Sequence, residues 1–149
     1  MSDNIKQVAQ NLRAAIERAK AADADIPWLK RFPKNCCNFA CNLLLLDLSA
    51  AGIRPARRIM GTVCDEKGDE LGSHVWVQAE HFIVDITADN FGQSPVIVDD
   101  TSKWHEQLDE VKPFIARIDT EDGIGAEELI RLEQLYTDAL QTLRQFRSP

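Results

Sequence analysis

The chain has 149 residues, 44% of them hydrophobic and 28% charged, which fits a single globular domain over residues 1–149 with a sizeable core. A formal charge of −7, with no basic run longer than Arg54 to Arg58, argues against nucleic acid or an anionic membrane as a partner. No stretch approaches eighteen apolar residues, and Met-Ser-Asp-Asn does not open a secretory leader, so a cytoplasmic location is expected.

In chain order, residues 4–22 predict an amphipathic helix with Ile5, Val8, Leu12, Ala15, Ile16 and Ala19 on one face, stopping before Asp23-Ala24-Asp25-Ile26-Pro27. Trp28 and Leu29 then anchor a loop. Pro33 disfavours a helical Phe32 and Asn35 is a good N-cap, so a leucine-rich helix is expected from Cys36 to about Ala51. Gly52-Ile53-Arg54-Pro55 turns the chain into a first strand, Ala56 to Cys64, and the acidic loop at 65–70 lays the second strand beside it.

Residues 74–78 and 82–87 are rich in β-branched and aromatic types, and a two-residue turn at Ala79-Glu80 sets His74 directly opposite Asp85. In that register His74, Trp76, Ile83 and Asp85 share one face, and Val75, Val77, Phe82, Val84 and Ile86 share the other, the core face. Residues 95–98 read as a short edge strand. Residues 126–146 form the last helix, its core stripe being Leu129, Leu132, Leu135, Tyr136, Ala139, Leu140, Leu143 and Phe146. This order predicts an α+β fold with helices on the core side of the sheet.

Three of the four cysteines fall within six residues, which is not the spacing of a disulfide framework. Cys36 and Cys37 sit in the first turn of the expected helix, at the positive end of its dipole, where a thiol pKa of ~8.5 is lowered toward neutrality. Helical spacing from Cys37 runs through Ala40, Cys41, Leu44, Leu45, Leu48 and Ala51, whereas from Cys36 it reaches Asp47. Cys37 is therefore the preferred nucleophile, with Cys36 left open. The order Cys37, His74, Asp85 suggests nucleophilic acyl transfer: the thiolate attacks an amide carbonyl, His74 moves the proton, and Asp85 fixes the imidazole tautomer. Helix-start N–H groups would stabilise the oxyanion, with Asn35 and Asn38 as candidate side-chain donors. Asp89 is the next carboxylate in line, and His81 and His105 read as surface residues.

Phe32-Pro33-x-x-x-Cys37-x-x-Ala40, Ser73-His74-Val75-Trp76-Val77 and Asp85-Ile86-Thr87-Ala88-Asp89-Asn90-Phe91 resemble the transglutaminase-like branch of the papain-like cysteine proteases, over roughly residues 32 to 98. The resemblance implies a central nucleophile helix packed on an antiparallel β-sheet, flanked by N- and C-terminal helices, and a triad of Cys37, His74 and Asp85. Asn38, Phe39, Cys41 and Asn90 depart from that pattern.

The function expected is a thiol-dependent peptidase, glutamine deamidase or transglutaminase acting on a protein or peptide, with no cofactor and no metal. The alternative is an inactive interaction or immunity-type protein that retains the fold. A metal site made of Cys37, Cys41 and His74 is a third reading, weakened by the absence of any CxxC or HxxxH pair.

Overall fold

The computed structural model describes residues 2–114 and 126–147, with side chains described for 3–114 and 134–147. Its elements, in order, are α1 (Ser2–Ala21), α2 (Cys37–Ala50), β1 (Ala56–Cys64), β2 (Glu70–Ala79), β3 (Phe82–Asp85), β4 (Ile97–Asp99), α3 (Lys103–Glu106), β5 (Asp109–Pro113) and α4 (Ala126–Leu143). The five strands form one antiparallel sheet in the order β4-β3-β2-β1-β5. The architecture is mixed α+β, with α2 packed centrally on the sheet and α1 and α4 beside it.

Periodicity explains the inner layer. Ile5, Ala9, Leu12, Ala15, Ile16 and Ala19 of α1 are fully buried, as are Leu43, Leu44 and Leu48 of α2. They meet Val75, Val77, Ala79, Val84 and Ile86 from the sheet in a single apolar core, which Ala139 and Leu143 of α4 complete. Each such leucine withdrawn from water contributes about 1.5–3 kcal/mol. Leu129 and Leu132 of the expected stripe lie outside the described side chains.

The outer face of the sheet carries a second, smaller cluster of Ile59, Val63, Trp76 and Leu108, joined by Ile83, Phe91 and Trp104. The expected division of β2 and β3 into two faces is therefore observed. Gly61 lies under this cover: a Cβ there would stand 3.1 Å from Leu108 Cβ and 3.2 Å from the Trp76 ring. A side chain there would require Leu108 and the Trp76 ring to draw back by a few tenths of an ångström, so glycine allows the closest packing on β1.

Three local expectations need correction. Helix α2 begins at Cys37, with Cys36 in the cap position and no side-chain cap, because Asn35 takes a left-handed backbone (φ 54°) that asparagine tolerates and that turns it away from capping. The turn between β2 and β3 is Glu80-His81, since Ala79 pairs with Phe82. Lastly, α3 and β5 were not anticipated; α3 has four residues and every residue of β5 is exposed, so neither shows a usable hydrophobic period. No described helix is long and apolar enough to cross a membrane.

Candidate metal centre

His74 sits on β2 opposite Gly61 of β1, and Asp85 is the last residue of β3. Moving the turn by one residue shifts the pairing register by two, which preserves the face each residue takes, because strand side chains alternate with period two. It removes Asp85 from the position directly across from His74 and makes the two a diagonal pair. The carboxylate spans the diagonal: His74 Nε2 lies 2.7 Å from Asp85 Oδ2.

A third residue closes on the same oxygen. His105 of α3 places its Nε2 2.7 Å from Asp85 Oδ2. Ser102 orients it by capping α3: its hydroxyl oxygen accepts from the His105 backbone N–H at 3.3 Å and lies 2.6 Å from His105 Nδ1. With the hydroxyl donating to Nδ1, the proton of His105 resides on Nε2 and points at Asp85. The other carboxylate oxygen, Oδ1, accepts from the Thr87 backbone N–H at 3.0 Å.

The three side chains are buried, with 0% of His74, 1% of Asp85 and 3% of His105 exposed, so their polar atoms must satisfy one another. Aromatic rings wall them in. Phe91 and Trp104 meet His74 edge-on at 5.3 and 5.5 Å, and Trp76 contacts His105 at 4.8 Å. The donor atoms of His74, Asp85 and His105 all lie within 4.8 Å of one another, the spacing at which one cation can be shared.

The charges follow from this geometry. Burial would raise the Asp85 pKa, but bonds from His105 and His74 outweigh it and hold the carboxyl well below the usual carboxylate range. Burial likewise opposes charge on His74, yet the bond to Asp85, together with the nearby Cys37, pushes its pKa up to about 9. The free protein thus keeps a proton on His74 at neutral pH, next to a buried anion.

The thiol chemistry expected from the sequence is overturned here. The clustered groups are two histidines and an aspartate, and Asp85 is shared between two imidazoles instead of backing a single Cys-His pair. Nδ1 of His74 makes no hydrogen bond of normal geometry among the described residues, although the Cys37 thiol lies close enough to the ring to help raise its pKa. Cys36 is fully buried and donates to the carbonyls of Lys34 and Trp28, at 3.1 and 3.4 Å. Burial raises its pKa despite the neighbouring Arg31. Cys41 donates to Val75 O at 3.4 Å, and burial, reinforced by Asp85 and Cys37, pushes its thiol well up. Cys37 is half-buried at the first position of α2, near His74 but outside the three-residue cluster.

The peptidase, deamidase and transglutaminase readings give way accordingly. The three residues that could share a cation differ from the Cys37, Cys41, His74 set weighed from sequence. His105, read as a surface residue, is the site member that sequence reasoning missed. The available signal was Ser102 three residues before it, an N-cap spacing followed by Trp104. His81 is exposed, as expected.

No family description, curated protein or solved structure matches the chain.

Proposed function

We propose that the chain is a metal-binding domain that holds one divalent ion of the zinc or ferrous class at His74, Asp85 and His105. The observation that carries this reading is the bracketing of one buried carboxylate oxygen by two imidazole Nε2 atoms at 2.7 Å each. Two imidazoles and a carboxylate are a borderline donor set suited to such ions. The surroundings match what metal ligands require: the second nitrogen of His105 bonds Ser102, and the second oxygen of Asp85 bonds the Thr87 amide. An ion would replace protons that now fill the short bonds and would compensate the buried anion. With none of the three residues more than 3% exposed, the centre is suited to sequestering an ion and fastening α3 to the sheet.

The layout of α2 on an antiparallel sheet, with His74 and Asp85 on adjacent strands, also supports placing the fold near the transglutaminase-like domains. That placement concerns architecture alone and carries no acyl transfer.

Calorimetric titration with Zn2+ and visible spectroscopy with Co2+ test the metal reading. One equivalent per chain is expected, with His105→Gln and Asp85→Asn each weakening binding by at least about 100-fold, more than the loss of a supporting partner causes. Binding must displace the His74 proton, so affinity rises with pH toward about 9. No uptake, or uptake that ignores those two substitutions and vanishes in Cys37→Ser/Cys41→Ser, overturns the proposal.

A further inference from the structure

Arg13 belongs to α1, whose fully buried stripe is apolar, yet this arginine is itself only 7% exposed. Its guanidinium is used on every side. Nη1 donates to the Ile86 carbonyl at 2.7 Å and to Asp89 Oδ1 at 2.8 Å, and Nη2 donates to Asp89 Oδ2 at 2.6 Å. Nε meets Glu17 at 2.8 Å, and the plane stands 4.7 Å above the Phe32 ring. A forked pairing of this kind fixes direction as well as distance, which a lysine cannot reproduce.

The segment it grips begins immediately after Asp85. Ile86 is the next residue, Thr87 supplies the amide that holds Asp85 Oδ1, and Asp89 lies in the 3-10 turn Ala88–Phe91, which ends in the ring packed edge-on against His74. Arg13 therefore pins the segment at two points, with the Thr87 amide between them. The segment supplies both the backbone contact of the shared carboxylate and one wall of the imidazole.

We infer that Arg13 is a positioning residue for the His74–Asp85–His105 centre: through Ile86 and Asp89 it sets the orientation in which Asp85 presents one oxygen to both rings. This rests on the metal reading for its consequence in binding, but the orientation itself is measurable in metal-free protein. The direct test replaces the clamp with an apolar pair of similar bulk, Arg13→Met with Asp89→Leu, so that no buried charge is stranded. Asp47→Asn, which breaks the Arg147 pair at 2.7 Å on α2, serves as an ion-pair control outside the centre.

The double variant is expected to lose about 10–100-fold in Zn2+ affinity, the range for loss of an outer supporting partner. It should also shift the Thr87 amide and the hydrogen-bonded imidazole N–H resonances of His74 and His105, while the control moves neither. Should the double variant fail to fold, Arg13→Lys conserves charge and should show the same resonance shifts to a smaller degree. Unchanged resonances and affinity in a folded variant would reduce Arg13 to a structural tie and overturn the inference. A wild-type chain that takes up no Zn2+ but whose Arg13 variants still shift the resonances sinks the metal reading and leaves the clamp standing.

Discussion

The two faces of the sheet are held by opposite means. On the inner face Val75, Val77, Val84 and Ile86 meet helices whose packed side chains are apolar apart from the buried Arg13, and stability accumulates from many interchangeable contacts. On the outer face Trp76, Ile83, His74 and Asp85 meet a four-residue helix, and the deepest contacts are two polar bonds converging on one oxygen. A packed apolar layer degrades by increments as atoms are removed, whereas a buried anion with two donors fails as a unit once the anion or a donor is lost.

Truncation gives the largest test of that contrast. Asp85→Ala is expected to destabilise the metal-free protein by roughly 3–5 kcal/mol, since it strands two buried imidazoles, and to reverse the pH dependence near neutrality: without the anion, burial disfavours charge on His74, so stability falls as pH drops below 6.5. Leu44→Ala should cost a comparable ~2–5 kcal/mol through the cavity it leaves, but with the pH dependence intact. Urea unfolding of both variants across a pH series separates the faces. If Asp85→Ala unfolds with the wild-type pH profile, the outer face is not held by its charges.

The wild-type profile comes next. The His74 pKa is raised from 6.5 to about 9 in the folded chain, so its contribution is complete below pH 6.5 and disappears as pH rises through 9, roughly 3 kcal/mol in all. Asp85 titrates in the opposite sense. Its carboxyl is lowered from 3.8, so the stability it confers is present above about pH 4 and lost on further acidification. Metal-free protein should be most stable between about pH 4 and 6.5. A flat profile from pH 6.5 to 9 would contradict the charge arrangement assigned to the centre.

The smallest effect concerns the cover. Ser102→Ala removes the cap of α3 and the partner of His105 Nδ1, and is expected to cost about 1 kcal/mol. Hydrogen exchange should quicken in residues 103–106 while the amides of α2 stay protected. Equal loosening of both would mean that the two faces are more tightly coupled than their chemistry implies.

Legibility in the sequence divides along the same line. The apolar spacing of α1, the limits of β1 and the two faces of β2 and β3 could be read because burial on one side imposes a period, and that period survives a displaced turn. The register itself could not, since it depended on Glu80 accepting a left-handed backbone (φ 56°), which its residue type does not advertise. His74 and Asp85 were recognised as partners, but the third member was not. His105 comes from a segment too short for periodicity, twenty residues beyond Asp85, and its burial is decided by tertiary contact with Trp76 and Trp104. The thiol reading drew on local motif and helix position, neither of which reveals that a second histidine already occupies the carboxylate.

Asp85 is held by both of its oxygens, one by a main-chain amide and the other by the two rings. Such a carboxylate cannot swing to ease a change in its company. Gain or loss of a cation at the rings must therefore register as a pull on the polypeptide at Thr87, and from there on the neighbouring arginine of the first helix. The centre is wired to the far layer of the fold through a lever only a few atoms long.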